Sequence, residues 1–421
     1  MTESARGRES RVMRSLRPES AGFMLLLGAL VTLASFATDM GLPVLAQTAA
    51  SLGVTPGRAA LTLSIFMAGF ATGPLVVGPL SDHYGRRPLL LAGCAAFAGC
   101  GALAAFSASL GALLAWRFLM GAGAGACQVL VVATVRDLFA GPEARVRQSY
   151  VNLAAGLAPV LAPTLGVLVA GLGGWRAIYG ALAAGGCVLL AAAALRLGES
   201  APRQAGAPPT PGEVLRRYAR VLRHPVSVGY VLVVALNFGA LFAYVSGSSL
   251  VLIELLHVSQ RAYGVLFACT SGCLMAGALV NARLSRRGVP HGRLMAGGLV
   301  AIAGSAVALL LLAAAGGLRA ELLVPLACVG FLGQGVVRPN AVQGALEPMP
   351  EIAGVASAIL SGVQMLTGAL ASAAVAALFD GRSALAMTAP MAACALLAAA
   401  VYAGVVRRAE HGSLPPATGV S

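Results

Sequence analysis

Long apolar runs separated by short polar segments extend along nearly the whole chain. Each run has about 20 residues, the length that an α-helix needs to cross ~30 Å of hydrocarbon at ~1.5 Å per residue. We therefore predict an all-α integral membrane protein with twelve transmembrane helices in two six-helix bundles. The predicted spans are 21–47, 58–80, 88–109, 111–135, 150–172, 176–196, 226–252, 263–282, 293–315, 321–346, 353–378 and 384–406.

The composition agrees with a membrane protein. Apolar residues make up 58% of the 421 residues and charged residues only 10%, whereas a soluble domain carries about 25% charged residues. The first apolar run follows a tail with five arginines, is longer than a signal peptide core and lacks a small-residue cleavage site. We therefore expect this segment to stay as the first span.

The distribution of arginine predicts the orientation. The chain has 29 basic residues, all of them Arg, and 22 lie in the tails and in every second loop, against five in the other loops. Basic residues concentrate on the cytoplasmic side of membrane proteins, so both termini are expected to be cytoplasmic. The same bias explains the net charge of +14 without a nucleic-acid partner.

A polar, Pro-rich stretch separates six spans from six. Two dipeptides recur at an offset of 204 residues, Leu80-Ser81 at 284–285 and Ala92-Gly93 at 296–297, which indicates a parallel duplication with a binding site between the halves near the midplane. The predicted parts are a cytoplasmic tail (1–20), an N-terminal bundle (21–197), a cytoplasmic linker (198–224), a C-terminal bundle (225–406) and a second cytoplasmic tail (407–421).

Two ionisable residues lie at similar depth within predicted spans. Asp39 is the only acidic residue well inside a span, and Arg117 lies about six residues into the fourth span. A charge at that depth costs at least ~2.5 kcal/mol unless it is paired or faces water, so we predict that the two side chains lie together. Burial disfavours charged Asp39 and a nearby Arg117 favours it, a balance that suits a reversible proton carrier. The alternative is a static ion pair that orients two helices.

The most specific string, 78–88, joins the second and third spans. It contains Gly78, Asp82, Gly85, Arg86 and Arg87 in the spacing Gly-x-Leu-x-Asp-x-x-Gly-Arg-Arg. Gly78 is expected to let two helices approach closely, Gly85 to allow a tight turn and Asp82 to face a helix N-terminus. The string resembles the signature loop of the major facilitator superfamily.

The resemblance implies that this loop latches an inner gate, with Asp137 as the partner of Arg86; alternatively, Asp137 pairs with its neighbour Arg136. The fifth span carries Pro163 and Gly166 and resembles the Pro-rich motif of antiporters, although Ala162 stands where that motif has Gly. Pro163 removes one helical hydrogen bond and can kink the span.

Further strings, from Thr38-Asp39-Met40-Gly41-Leu42-Pro43 to Pro339-Asn340-Ala341, resemble the bicyclomycin and chloramphenicol resistance branch. This resemblance implies a monomeric drug:proton antiporter of the bacterial inner membrane, which exchanges a chloramphenicol-like compound for protons and needs no cofactor or metal. Some relatives have a second acid where this chain has Val31, which leaves the proton number open. A proton-coupled nutrient symporter is the alternative function.

Polar, aromatic and sulfur-containing residues of the central spans outline a substrate cavity. Arg338 is expected either to line this cavity or to pair with Glu347. An enzyme is not expected, because no cluster of catalytic or metal-binding residues and no nucleotide-phosphate loop is found in the sequence. The cavity candidates are Met40, Tyr150, Asn152, Asn237, Phe242, Tyr244, Arg338, Asn340, Gln343, Gln364 and Met365.

Overall fold

A computed structural model describes residues 17–200, 222–348 and 353–408, with residues 212, 216 and 219 between them. The regular structure within these ranges is helical. We number the α-helices in chain order as α1 (Ala21–Asp39), α2 (Leu45–Ser51), α3 (Pro56–Tyr84), α4 (Arg86–Ala105), α5 (Leu110–Leu138), α6 (Gly141–Arg196), α7 (Pro225–Ser249), α8 (Gln260–Arg286), α9 (His291–Ala314), α10 (Ala320–Leu346), α11 (Ala353–Leu378) and α12 (Leu385–Val401).

Eleven helical stretches of the described chain are long and apolar enough to cross a membrane. The difference from the predicted twelve lies in α6, which has 56 residues, more than twice the length that a bilayer needs. Its backbone leaves the helical conformation at Gly173 and at Gly174, whose φ of 68° suits glycine. This break falls between the predicted fifth and sixth spans, so the number of crossings stays a prediction.

The first predicted span is not one continuous helix. The helix α1 ends at Asp39, a 3₁₀ turn follows at Leu42–Val44, and α2 begins at Leu45. Pro43 has no N–H to donate to the Asp39 carbonyl one turn earlier, and its ring crowds that carbonyl. The prediction of an unbroken helix over 21–47 was therefore wrong, and the break places Asp39 at a helix end.

The described helices fall into two compact units. The first comprises residues 1–47 and 65–208, and the second comprises residues 48–64 and 209–421. In the first unit α1 packs on α5 and α6, and α4 packs on the same two helices. Gly121 lies directly on the backbone carbonyl of Phe66, where a Cβ atom would overlap it. Glycine thus brings the two backbones into contact, as small residues do in membrane helices.

The second unit repeats this kind of packing. Here α7 packs on α11 and α12, and α10 packs on α8 and α9. Gly277 lies on the Leu332 carbonyl of α10, as Gly73 lies on the Ala122 carbonyl of α5 in the first unit. Gly73 and Gly277 are 204 residues apart, the offset of the sequence repeat, so the two close contacts support an internal duplication.

Candidate functional site

Arg117 is buried in the first unit and fully engaged there. Its side chain is 3% exposed, and Nη1 donates a hydrogen bond of 2.8 Å to the Ala37 carbonyl of α1. The guanidinium also lies over two aromatic rings, 4.5 Å from the centroid of Phe66 and 5.6 Å from that of Tyr179. Such cation–π contacts stabilise a desolvated cation by roughly 2 kcal/mol. Arg117 therefore joins α1, α3, α5 and α6 of this unit.

The predicted ion pair between Arg117 and Asp39 is not formed. Both residues are buried, Asp39 at 4% exposure, but no salt bridge of 4.0 Å or less joins them in the described chain. The physical reason is the helix end: α1 stops at Asp39, and Arg117 binds a carbonyl two residues earlier. The sequence predicted the correct helix as the partner of Arg117 and the wrong group on it.

The antiporter motif packs against the residue that follows Asp39. A Cβ atom on Gly166 would overlap the carbonyl oxygen of Met40, so only glycine permits this approach of α6 to the end of α1. Backbone angles at Pro163 remain helical, and the interruption of α6 lies at Gly173 and Gly174 instead. The motif therefore contributes close contact at Asp39 rather than a break in the helix.

The loop between α3 and α4 forms the charged contact that the sequence predicted. Arg86 Nε lies 2.9 Å from Asp137 Oδ2, and Nη1 donates to Ser81 Oγ. Asp137 thus pairs with Arg86 and not with Arg136. Gly85 has a φ of 93°, as a tight turn requires. The reason given for Gly78 was wrong, because a Cβ atom there would meet nothing within 4 Å.

Two further residues of the predicted loop complete its description. Arg87 Nη2 donates to the Ala194 carbonyl at 2.6 Å, which ties α4 to the end of α6. The side chain of Asp82 lies outside the described part, so its predicted place at a helix N-terminus stays a prediction.

Glu199 is the residue of this region that sequence reasoning missed. Its Oε1 accepts a 2.8 Å hydrogen bond from the backbone N–H of Arg86, and Oε2 lies 3.3 Å from the N–H of Arg87. These are the first N–H groups of α4, which have no partner within the helix, and an acidic side chain there also opposes the positive helix end. Glu199 was assigned to the linker; its signal was an acidic residue directly after a basic span end.

A recess in the second unit contains the polar residues that are candidates for ligand contact. Four polar side chains line it: Asn237 of α7, Gln334 and Arg338 of α10, and Gln364 of α11. The remaining walls are Val234, Phe238, Leu241, Leu274 and Val337, and we call these nine residues the Arg338 recess. The space measures about 340 Å³ including its open side, which is within the range of small-ligand sites.

The other predicted cavity residues do not line this recess. Tyr244 is fully buried against Phe331, with ring centroids 5.0 Å apart, and Asn340 donates to Asn281 Oδ1 at 2.6 Å. Both therefore hold helices of the second unit together. Met40 is buried beside Gly166 in the first unit. The remaining candidates, which are exposed or half-buried, are Tyr150, Asn152, Phe242, Gln343 and Met365.

Comparison with known proteins identifies the family. The sequence profile of the Major Facilitator Superfamily matches residues 25–372, most of the chain. The chain belongs to the major facilitator superfamily. It is 31% identical over 357 residues to an uncharacterized transporter of this superfamily, YdgK of Bacillus subtilis, covering 84% of this chain and 88% of that protein. The expectation drawn from the loop at 78–88 is thereby confirmed.

Other relatives of the superfamily carry names of drug resistance. A bicyclomycin resistance protein homolog of Haemophilus influenzae is 28% identical over 90% of this chain and 95% of its own length. A chloramphenicol resistance protein of Pseudomonas aeruginosa is 38% identical over 42% of this chain and 43% of its own length. A solved bacterial homolog of the human lysosomal transporter Spinster shares the fold, with a TM-score of 0.74, 15% identity, and 96% and 100% of the two chains covered.

Membership of this superfamily establishes the general class of the protein. It is a multi-pass membrane transporter of the bacterial inner membrane and not an enzyme. Members of the family need no cofactor. In the described residues no group of three or more His, Cys, Asp or Glu side chains could hold a metal ion. The site is therefore to be understood as a transport site, where affinity changes with conformation.

Proposed function

We propose that this transporter exports small apolar or amphipathic drug-like compounds from the cytoplasm in exchange for external protons. Asp39 is the proton carrier, and transport proceeds by alternating access in a monomer of twelve spans with both termini in the cytoplasm. The relatives named for bicyclomycin, chloramphenicol and multidrug resistance support a drug-like substrate. We take chloramphenicol as the first compound to test.

The placement of Asp39 is the observation that carries this proposal. The carboxyl group is 4% exposed and has no salt bridge within the described chain, so its charged form is costly. It also lies at the C-terminal end of α1, where the helix dipole is unfavourable to an anion. A carboxyl group in this environment gains stability from a proton in one conformation and from water in another, which is the property of a coupling site.

Proton and substrate exclude each other through conformation in this mechanism. A proton from outside binds Asp39 and favours opening to the cytoplasm, where the proton leaves and the compound binds. The Arg86–Asp137 contact (2.9 Å) and the Glu199 cap on α4 form the inner latch that must open and close. The membrane potential contributes about 2.3 kcal/mol per charge and 100 mV to the exchange of a neutral compound for one proton.

Everted membrane vesicles test the proposal directly. Respiring everted vesicles that contain the wild-type protein should accumulate chloramphenicol, and an uncoupler should abolish the accumulation. Asp39→Asn should show none at equal protein level, whereas Asp380→Asn, in the exposed loop before α12, should behave as wild type. Accumulation by Asp39→Asn that persists with the uncoupler contradicts the mechanism.

The same vesicles separate export from the alternative, a nutrient symporter. Solved proton symporters share the fold, for example a D-xylose-proton symporter with a TM-score of 0.67 and 17% identity, so the fold alone does not decide the direction. Everted vesicles are acidic inside, and a symporter therefore moves its substrate outward. Proton-driven loss of a preloaded compound from these vesicles would favour the symporter.

A further inference from the structure

Arg338 lies at the open side of its recess without a countercharge. It is exposed, although its helix neighbours Val337 and Asn340 are 1% and 7% exposed. No carboxylate of the described chain lies within salt-bridge distance of its guanidinium, and Glu347 is not its partner. An arginine halfway along a membrane helix is expensive unless a wet cavity or an anion compensates it, so the recess favours negative charge.

Asn237 provides a second unfulfilled group in the same recess. Its side chain is 3% exposed, and Nδ2 donates to the Val233 carbonyl at 3.0 Å. The other side-chain atom, Oδ1, is buried and has no hydrogen-bond partner in the described structure. A buried acceptor without a donor costs about 1–3 kcal/mol. A ligand hydroxyl or amide N–H, or a water molecule that the ligand carries, would satisfy it.

The geometry around Asn237 is fixed rather than adaptable. Gln334 Nε2 donates to the Asn237 carbonyl at 2.7 Å and is 7% exposed. This bond holds α10, which carries Arg338, against α7. The donor fork of Arg338 and the acceptor of Asn237 are therefore presented by two helices in direct contact, a preorganised pair of opposite hydrogen-bonding character.

The remaining walls and the intramembrane charges restrict the class of ligand. Phe238, Leu241 and Leu274 form an apolar wall for a ring system. The predicted spans contain Arg117 and Arg338 but only Asp39 as an acid well inside them, an excess of one positive charge. Cations are repelled by this excess, whereas a monoanion neutralises it.

We propose that the Arg338 recess binds the acidic end of amphipathic aromatic monoanions, with Arg338 holding the anion and Asn237 a neighbouring donor. This assignment names the substrate class of the export function proposed above and rests on it. Arg338 binds a carboxylate through two parallel N–H bonds, a geometry that lysine does not reproduce. Neutral compounds with a strong acceptor group occupy the same place with lower affinity.

Equilibrium dialysis of the purified full chain with three probes tests this assignment without transport. The probes are 1-naphthoate, 1-naphthylmethanol and 1-naphthylmethylammonium, which share one ring system and differ in charge. Wild type should bind naphthoate at least about tenfold more tightly than the alcohol, and the ammonium compound most weakly. Arg338→Gln should weaken naphthoate binding about ten- to a hundredfold and that of the alcohol less than about threefold.

Two further variants and the wild-type comparison protect the test against folding artefacts. Arg338→Lys keeps the charge and should restore part of the lost affinity. Arg283→Gln removes an exposed arginine at the end of α8, outside the recess, and should bind like wild type. The order of the three probes on wild type requires no variant. Equal binding of the probes to wild type, or unchanged naphthoate preference in Arg338→Gln, overturns the assignment.

Everted vesicles distinguish the failure of this inference from the failure of proton-coupled export. Naphthoate binding that depends on Arg338 but no proton-driven accumulation of any compound would overturn the export function and leave the recess as an anion site. Proton-driven accumulation that depends on Asp39, with equal affinity for the three probes, would overturn the anion assignment alone.

Discussion

Each half of the chain has one arginine deep within a membrane helix, and the two have opposite surroundings. Arg117 is 3% exposed, bound to the Ala37 carbonyl and covered by two aromatic rings. Arg338 is exposed in a recess and has no salt bridge in the described residues. The comparison teaches that the cost of a membrane charge can be met by the protein itself or left for a ligand. The first arrangement stabilises a bundle, and the second recognises a substrate.

Arg117→Gln should have the largest effect and should break the comparison if it does not. The variant loses a charge-assisted hydrogen bond and two cation–π contacts, which corresponds to about 2–4 kcal/mol of stability. We expect a markedly lower apparent unfolding temperature in detergent, followed by size-exclusion chromatography after heating, and loss of transport.

Arg338→Gln is the matched variant in the other half. Because Arg338 makes no contact that an uncharged side chain would lose, its unfolding temperature should equal or exceed that of wild type. Equal destabilisation by the two substitutions would show that both arginines are structural, and the contrast between them would be wrong.

Gly166→Ala should have the next largest effect. The new methyl group overlaps the Met40 carbonyl, so α6 or the end of α1 must shift, at about 1–3 kcal/mol. We expect strongly reduced proton-driven transport with partial loss of thermal stability, since the shift occurs beside Asp39. This would sharpen the assignment of coupling to the first unit.

Gly171→Ala provides the control on the same helix. A Cβ atom at Gly171 meets nothing within 4 Å, so this substitution should be neutral or stabilise by up to ~1 kcal/mol. Full transport by Gly166→Ala would contradict a role of this contact in coupling.

Glu199→Gln should have the smallest effect of the three. It keeps the shape of the cap on α4 but removes its charge, at about 0.5–2 kcal/mol. Hydrogen exchange of the amides at the start of α4 should accelerate, and transport should fall moderately as the latch loosens.

Glu143→Gln is a suitable reference for the latch. Glu143 forms an exposed i,i+4 pair with Arg147 at 3.2 Å, which contributes little. Unchanged exchange at α4 in Glu199→Gln would remove Glu199 from the latch.

The parts of the site that lie close together in sequence were the most predictable. The spacing of the loop at 78–88 was sufficient to predict the turn at Gly85 and the Arg86–Asp137 contact, which the structure shows at 2.9 Å. Glu199 escaped because it lies 113 residues from Arg86, and nothing local shows which N–H groups an acid will cap. The Arg117–Asp39 pair failed because depth along two helices says nothing about the rotation of each side chain around its helix.

The Arg338 recess shows the same limit. The sequence suggested Asn237, Arg338 and Gln364 as cavity candidates together with eight others, and three of the eleven line the recess. Tyr244 has an equally polar tip but turns into the bundle against Phe331. Which face of each helix points inward depends on its packing with several neighbours.

The sequence by itself determined that the chain crosses a membrane repeatedly, that it belongs to a known transporter superfamily, and that Asp39 is its singular deep acid. These follow from apolar run length and local spacing, which do not depend on distant residues. Tertiary structure alone decided that Arg117 binds a backbone carbonyl, that Gly166 touches Met40 and that Arg338 stays open to a recess. Those outcomes depend on which helix faces meet, because in a bilayer hydrophobicity places helices in the membrane while close packing and hydrogen bonds choose their neighbours.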